Sequence, residues 1–123
     1  MSLVALPVAI ILTIVGSLAT ANAVPTSKLG QNIAAITADI LKPAACAALP
    51  LTNVVTGSGT ISGTGGNDLI LGSAGIDSIA GSGGNDCILG GGGADAIRGN
   101  GGSDVCIGGA GVDTFVSCKT QIQ

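Results

Sequence analysis

The chain has 123 residues and a net charge of −3, with 22 glycines and a single aromatic residue. Because it contains no His, Glu, Trp or Tyr, it has no His-based triad, no HExxH zinc motif and no pair of catalytic glutamates, and we expect no enzyme activity. Its four basic residues are scattered, so the composition also predicts no nucleic-acid partner and no small-molecule substrate.

The first element in chain order is a predicted signal peptide, residues 1–23. Residues 3–18 are apolar and uncharged, and a polar turn and an Ala-Asn-Ala tripeptide follow them. This order is typical of an h-region and an A-x-A cleavage site, so we expect cleavage after Ala23 and a secreted, extracellular chain. The first basic residue is Lys28, so the usual basic segment before the apolar run is missing. An uncleaved membrane anchor with the repeats outside is the alternative.

Residues 24–53 are predicted to form a short helix and a strap. Apolar residues at helical spacing form a stripe that comprises Leu29, Ile33, Ile36 and Ile40. Thr26 or Ser27 would cap the start of this helix. Pro43 would end it near Lys42, because the residue before a proline disfavours helical backbone.

Residues 63–116 divide into six tandem nonapeptides: GTGGNDLIL, GSAGIDSIA, GSGGNDCIL, GGGGADAIR, GNGGSDVCI and GGAGVDTFV. Each has Gly at the first and fourth places and Asp at the sixth, and these aspartates are Asp68, Asp77, Asp86, Asp95, Asp104 and Asp113. The unit splits into a six-residue turn and a three-residue strand, whose eighth place points away from its neighbours. We therefore expect an interior formed by Ile70, Ile79, Ile88, Ile97, Cys106 and Phe115.

Atypical segments flank the repeats. Residues 54–62 keep the spacing but have Gly59 in the Asp place, while Ile61 still occupies the inward place. We expect a degenerate first rung there, as solenoids need atypical terminal units. Residues 117–123 are predicted to form a C-terminal cap.

The nonapeptide pattern resembles the G-G-x-G-x-D-x-U-x repeat of RTX (repeats-in-toxin) proteins, over 54 of the 123 residues. The resemblance implies an all-β solenoid, a right-handed parallel β-roll of two sheets in which stacked neighbours are 18 residues apart. It also implies Ca²⁺ as cofactor and partner. The six Asp side chains would bind calcium together with loop carbonyls of first- and third-place glycines, namely Gly63, Gly65, Gly72, Gly81, Gly83, Gly90, Gly92, Gly99, Gly101 and Gly108.

The stacked aspartates give a physical reason to expect a cation. Strands in a sheet lie roughly 4.8 Å apart, and two carboxylates at about 5 Å repel by roughly 3 kcal/mol at an effective dielectric of about 20. Ca²⁺ accepts many oxygen ligands in flexible geometry, whereas Mg²⁺ demands a tight octahedron. Complete sites are expected between Asp68 and Asp86, Asp86 and Asp104, Asp77 and Asp95, and Asp95 and Asp113. The alternative is a metal-free solenoid in which Asp serves only as a turn residue.

The outward places differ between the two sheets. In one sheet they are wholly apolar, comprising Leu69, Leu71, Cys87, Leu89, Val105 and Ile107. In the other they are mostly small or polar, comprising Thr60, Ser62, Ser78, Ala80, Ala96, Arg98, Thr114 and Val116. Because a large exposed apolar face is a liability or an interface, we expect the N-terminal helix to cover it and Cys46 to tie it down through Cys87. The alternatives are a helix packed on the end of the solenoid and a partner protein on the sheet.

Four cysteines in a secreted chain predict two disulfides, and the residues alone leave three pairings open. A thiolate metal site is the alternative. The run DVCIGGAGVDTFVSC resembles the cysteine-closed last repeats of secreted bacterial relatives of this repeat class. That resemblance implies a bond between Cys106 and Cys118 and leaves Cys46 with Cys87.

Together these features predict a secreted calcium-binding protein whose β-roll folds on binding about four or more Ca²⁺ ions. The alternative function is an adhesin or haemolysin-related interaction module that presents one sheet to a protein or cell-surface partner. A cover over the apolar sheet would remove the best surface for such a partner.

Overall fold

The computed structural model describes residues 36–123. Nine strands follow one another in this range: β1 (Asn53–Thr56), β2 (Thr60–Ser62), β3 (Asp68–Leu71), β4 (Ser78–Ala80), β5 (Cys87–Gly92), β6 (Ala96–Arg98), β7 (Val105–Ala110), β8 (Thr114–Val116) and β9 (Thr120–Ile122). The odd-numbered strands form a five-stranded sheet, here the odd sheet, and the even-numbered strands form a four-stranded sheet, here the even sheet. Consecutive strands therefore belong to opposite sheets.

Stacked strands within the repeats are 18 residues apart. Leu69 pairs with Cys87 and Cys87 with Val105 in the odd sheet, while Ile79 pairs with Ile97 in the even sheet. All of these pairings are parallel. The parallel β-roll that the resemblance to RTX repeats implies is thus confirmed.

Side chains from the eighth place of each repeat fill the space between the sheets. This column comprises Ile61, Ile70, Ile79, Ile88, Ile97 and Cys106, each exposed by 4% or less. A three-residue strand points one side chain inward, so the core is a single column wide. Phe115 packs against the column but is only half-buried, because β8 is the edge strand of the even sheet.

The two ends of the roll have shorter turns than its interior. Val54 pairs with Leu69 and Val105 with Thr120, offsets of 15 residues instead of 18. Each terminal turn has three residues, whereas an interior turn such as 72–77 has six. Neither terminal turn contains Asp, so no carboxylate precedes β2 or β9.

The segment before β1 covers the apolar face of the odd sheet. It contains a one-turn helix, α1 (Ala38–Leu41), and a 3-10 helix, Ala44–Cys46. The buried cluster on this face comprises Ala38, Cys46, Leu51, Leu69, Cys87 and Val105, with Leu49, Leu71, Leu89 and Ile107 packed against it. The apolar sheet therefore has a cover within the chain, and most of that cover is strap.

The side chains that make this contact differ from those expected. Ile36 and Ile40 belong to the predicted apolar stripe, yet they are 74% and 64% exposed. The expectation that they cover the sheet is wrong, because α1 buries Ala38 instead and ends at Leu41, ahead of Pro43. The remaining residues of the predicted helix, Thr26, Ser27, Leu29 and Ile33, lie outside the described residues, as does the predicted signal peptide 1–23.

A small polar network holds the strap together. The ammonium group of Lys42 donates hydrogen bonds to Oδ1 of Asp39 and to the carbonyl oxygen of Leu49, both at 2.6 Å. The amide of Leu51 donates to the same Asp39 oxygen at 3.3 Å. The hydrogen bond from Lys42 is the main reason that the pKa of Asp39 is lowered.

Two disulfides fix the strap and the last turn. Cys46 is bonded to Cys87 in β5, and Cys106 in β7 is bonded to Cys118. This is the pairing that the resemblance implies. Within residues 36–123 no cysteine is free, so the structure gives no support to a thiolate metal site.

The outward face of the even sheet is open to solvent. Its exposed side chains are Thr60, Ser62, Ser78, Ala96, Arg98, Thr114 and Val116, and Ala80 is half-buried. None of the helices in residues 36–123 has the length and apolar character needed to cross a membrane.

Candidate metal centre

Six buried aspartates form two ladders where the turns meet the strands. Their exposure ranges from 0% for Asp68, Asp86 and Asp104 to 8% for Asp113. The odd ladder, which leads into the odd strands, comprises Asp68, Asp86 and Asp104. The even ladder, which leads into the even strands, comprises Asp77, Asp95 and Asp113. The structure thus divides the aspartates between two ladders as the sequence predicts.

One oxygen of each stacked carboxylate belongs to the backbone hydrogen-bond network. The amide of Asp68 donates to Oδ1 of Asp86, and the amide of Asp86 donates to Oδ1 of Asp104, both at 2.9 Å. The even ladder repeats this contact at 2.8 Å, from Asp77 to Asp95 and from Asp95 to Asp113. These bonds fix each carboxylate against the turn above it, and they leave Oδ2 for another partner.

The second oxygen of three carboxylates has no hydrogen-bond partner. These atoms are Oδ2 of Asp86, Asp95 and Asp104, and all three are buried. Burial raises the pKa of Asp86 to about 7, and the charges of Asp104 and Asp68 add to this rise. Burial also raises the pKa of Asp104. A buried charge without a partner is strongly destabilising. These oxygens could coordinate a bound cation, and the cation would neutralise their charge.

Each unpartnered oxygen faces a space that a first-place glycine leaves open, and we call this space between the glycine, the carboxylate and a carbonyl oxygen a cradle. A Cβ atom on Gly81 would lie 2.6 Å from the carbonyl oxygen of Gly99 and closer still to Oδ2 of Asp86. The same pair of oxygens, one carboxylate and one carbonyl from the next stacked turn, flanks Gly63, Gly72, Gly90 and Gly99. Carboxylate and carbonyl oxygens that converge on one point form a donor set that fits Ca²⁺.

The predicted carbonyl ligands fall into two groups. Carbonyl oxygens of the first-place residues Gly81, Gly90, Gly99 and Gly108 face the preceding turn of the same ladder, beside its carboxylate. Third-place glycines contribute their amides to the stacking of the turns, as when Gly92 donates to the carbonyl oxygen of Ser73 at 2.9 Å. No group of three or more acidic or thiol side chains lies together in residues 36–123, so a cation at these turns would depend on carbonyls as well as on Asp.

The first two repeats satisfy their carboxylates with protein donors. The amide of Thr64 and its hydroxyl both donate to Oδ2 of Asp68, the hydroxyl at 3.0 Å. Ser73 donates to Oδ2 of Asp77 through its amide at 2.6 Å and its hydroxyl at 2.9 Å. The amide of Ser73 is the main reason that the pKa of Asp77 is lowered. No sequence signal predicts this role of the second place, because Ser73 donates these hydrogen bonds while Ser82, the same residue type in the next repeat, does not.

A ladder of side-chain amides runs beside the odd carboxylates. The amide of Asn85 donates to Oδ1 of Asn67, and the amide of Ser103 donates to Oδ1 of Asn85, both at 2.7 Å. The side chain of Asn67 donates in turn to the carbonyl oxygen of Pro50. The sequence contains a pattern that could have predicted this ladder. The fifth place is polar in the first, third and fifth repeats, and it is apolar in the other three, at Ile76, Ala94 and Val112.

The fold and the ladders define a calcium-binding class of parallel β-roll. The RTX calcium-binding nonapeptide repeat family matches residues 62–97 and 88–115, in four copies. Residues 62–115 thus carry RTX calcium-binding nonapeptide repeats, and Ca²⁺ is the cofactor of these repeats. No curated protein and no solved structure matches the chain.

Proposed function

We propose that this chain is a secreted calcium-binding protein whose β-roll folds on binding about four or more Ca²⁺ ions between stacked turns. The observation that carries the proposal is the buried, unpartnered Oδ2 of Asp86, Asp95 and Asp104. The complete sites lie between Asp68 and Asp86, Asp86 and Asp104, Asp77 and Asp95, and Asp95 and Asp113. First-place carbonyls, such as those of Gly99 and Gly108, complete the donor set.

The apo form of the ladders explains why the ion would drive folding. Each stacked pair holds two carboxylates about 5 Å apart, which repel by roughly 3 kcal/mol when both are charged. The glycines of the turns lose more backbone entropy on ordering than other residues do. A bound calcium ion supplies two positive charges and a coordination shell for oxygens that have no donor of their own. The chain contributes the aligned carboxylates and carbonyls and the buried column that keeps them in register.

Two observations support secretion. Residues 3–18 and the Ala-Asn-Ala tripeptide that ends at Ala23 have the order of a signal peptide. The two disulfides are typical of proteins in oxidising compartments. Extracellular calcium modules bind with dissociation constants of about 10⁻⁴ to 10⁻³ M, which matches a protein that stays loose until it is exported. Sequencing the N-terminus of protein recovered from the medium should begin at Val24, whereas Met1 on membrane-bound protein would support the anchor.

We further propose that the role of the roll is structural and not enzymatic. The Asp carboxylates belong to the ladders. The hydroxyls of Thr64 and Ser73 donate hydrogen bonds to these carboxylates, so they serve the turns and are not free to act as nucleophiles. The interaction-module alternative loses its best surface, because the strap residues Leu49 and Leu51 lie on the apolar face of the odd sheet.

Isothermal titration calorimetry of the oxidised chain with calcium tests the proposal. We expect uptake of about four ions. Asp86→Ala and Asp95→Ala should each reduce the uptake sharply, because each carboxylate is shared by two stacked pairs. If the unaltered chain binds no calcium, the proposal is contradicted.

A further inference from the structure

We propose that Thr64 and Ser73 divide the calcium sites into two classes, and that the sites of the later repeats fill first. This inference rests on the proposed function. Thr64 and Ser73 act as built-in substitutes for an ion at Asp68 and Asp77. The later carboxylates have no such substitute, so their sites are the ones that require a cation.

The second place of the first two repeats differs from the second place of all four later repeats. Thr64 and Ser73 each direct an amide and a hydroxyl at the carboxylate four residues further on. In the four later repeats the second place has a positive φ, at Ser82 (82°), Gly91 (107°), Asn100 (69°) and Gly109 (100°). Thr64 and Ser73 are not in this left-handed region. A β-branched residue such as Thr strongly disfavours this region, whereas Ser occurs in both conformations, at Ser73 and at Ser82.

The fate of each Oδ2 atom follows the second place. Asp68 and Asp77 receive two donors each, while Asp86, Asp95 and Asp104 receive none. Asp113 ends the even ladder, and its Oδ2 accepts a hydrogen bond from Nε2 of Gln123 at 2.9 Å. Three buried, unpartnered oxygens therefore lie together in repeats three to five, and repeats one and two contain none.

The cradles that these oxygens face identify the sites. Oδ2 of Asp86 faces Gly81 and the carbonyl of Gly99, which places it in the site between Asp86 and Asp104. By the same relation, Oδ2 of Asp95 belongs to the site between Asp95 and Asp113. Oδ2 of Asp104 faces the carbonyl of Ser117, a half-site at the C-terminal end.

The corresponding oxygens of the first two repeats face equivalent cradles at Gly63 and Gly72. A cation there would have to compete with the donors of Thr64 or Ser73. One hydrogen bond to a charged group corresponds to a factor of about ten or more in an equilibrium constant. The sites of Asp68 and Asp77 should therefore be weaker than the later sites by roughly tenfold or more.

Calcium titration of the oxidised chain tests the inference, with Thr64→Gly/Ser73→Gly as the altered protein. The unaltered chain should show two classes of site separated by roughly tenfold or more, and the double variant should show one class with the same total uptake. Ser82→Gly is the matched control, since Ser82 already has a positive φ and its partner oxygen belongs to Gly63, not to Asp86. The control should keep both classes. An unchanged titration of the double variant would overturn the inference.

Backbone NMR of the unaltered chain gives a second readout that does not depend on how the variant folds. During the first phase of the titration the amide resonances of Gly81 and Gly90 should shift, while those of Thr64 and Ser73 stay in place. Simultaneous movement of all four would overturn the two-class assignment but leave calcium binding intact. No uptake in any phase would instead contradict the proposed function.

Discussion

Asp68 donates its amide to Oδ1 of Asp86 at 2.9 Å, and this bond leaves Oδ2 of Asp86 buried without a donor. The backbone contact that stacks the turns thus occupies Oδ1 and leaves the buried Oδ2 for a cation. Because Oδ1 contributes to stacking and Oδ2 to calcium binding, the Asp at the sixth place couples the two.

Neutralising an unpartnered carboxylate should stabilise the calcium-free chain. Asp86→Asn keeps an oxygen that accepts the Asp68 amide and removes the buried charge. We expect the β-sheet signal that the chain keeps in chelator to increase, measured by far-UV circular dichroism, because the loss of one buried charge favours the folded form by about 1–3 kcal/mol. Asp77→Asn is the control with the opposite sign, because the donors of Ser73 lose a charged acceptor. Destabilisation by both substitutions would contradict the assignment of Oδ2.

The stability of the calcium-free chain should fall as pH rises towards neutrality. Folding raises the pKa of Asp86 from its ordinary value of 3.8 to about 7. The contribution of this group to the stability of the fold is therefore complete below pH 3.8 and is lost as the pH rises through about 7. Asp104 acts in the same direction. Asp77, whose pKa is lowered, acts only in more acidic solution.

The β-sheet signal of far-UV circular dichroism in chelator, recorded at several pH values between about 4.5 and 7.5, measures this slope. Excess calcium should remove it, because the carboxylates then have a counter-charge. A calcium-free chain that becomes more stable across this range would contradict the burial of an unpartnered Asp86.

A side chain at a first-place glycine should block one site. Gly81→Ala places a Cβ 2.6 Å from the carbonyl oxygen of Gly99 and closer to Oδ2 of Asp86, and overpacking of this kind typically costs about 1–3 kcal/mol. Calorimetry should therefore show the loss of one ion. Gly83→Ala is the matched control, since a Cβ there meets no atom within 4 Å and the backbone is not left-handed. Equal effects of the two substitutions would argue against a cradle at Gly81.

The two disulfides should have separable roles. Cys46→Ala/Cys87→Ala opens a loop with a sequence separation of 41 and frees the strap, and we expect a loss of about 4 kcal/mol in the chain-entropy account. Cys106→Ala/Cys118→Ala opens a shorter loop, with a separation of 12, for about 3 kcal/mol. Only the first variant should increase the binding of a hydrophobic dye, because only it uncovers the face around Leu69. Equal dye binding by both would show that the strap does not depend on its disulfide.

The repeats could be predicted well from the sequence because one period governs both the core and the ladders. Asp at every sixth place and Ile at most eighth places fix which side chain points inward and which meets the turn above. A shift of one residue would move Ile88 out of the core and Asp86 out of its ladder, so no other strand register satisfies both residues.

The strap and the turns were less predictable for physical reasons. Ile36 and Ile40 fit a helical stripe, but α1 is a single turn that ends before Pro43, and Leu49 and Leu51 reach the sheet from the strap that follows it. The donors of Thr64 depend on a backbone angle at one position, and that angle leaves no periodic signal. Such features follow from local sterics and not from hydrophobic pattern.

Far-UV circular dichroism of the oxidised chain, first in chelator and then in millimolar calcium, tests the central claim most directly. If the unpartnered carboxylates make the roll depend on calcium, the spectrum should gain a large β-sheet signal as calcium is added, and Asp86→Ala/Asp95→Ala should lose most of that gain. A chain with the full β-sheet signal in chelator and no response to calcium would show that the Asp ladders serve only the turns.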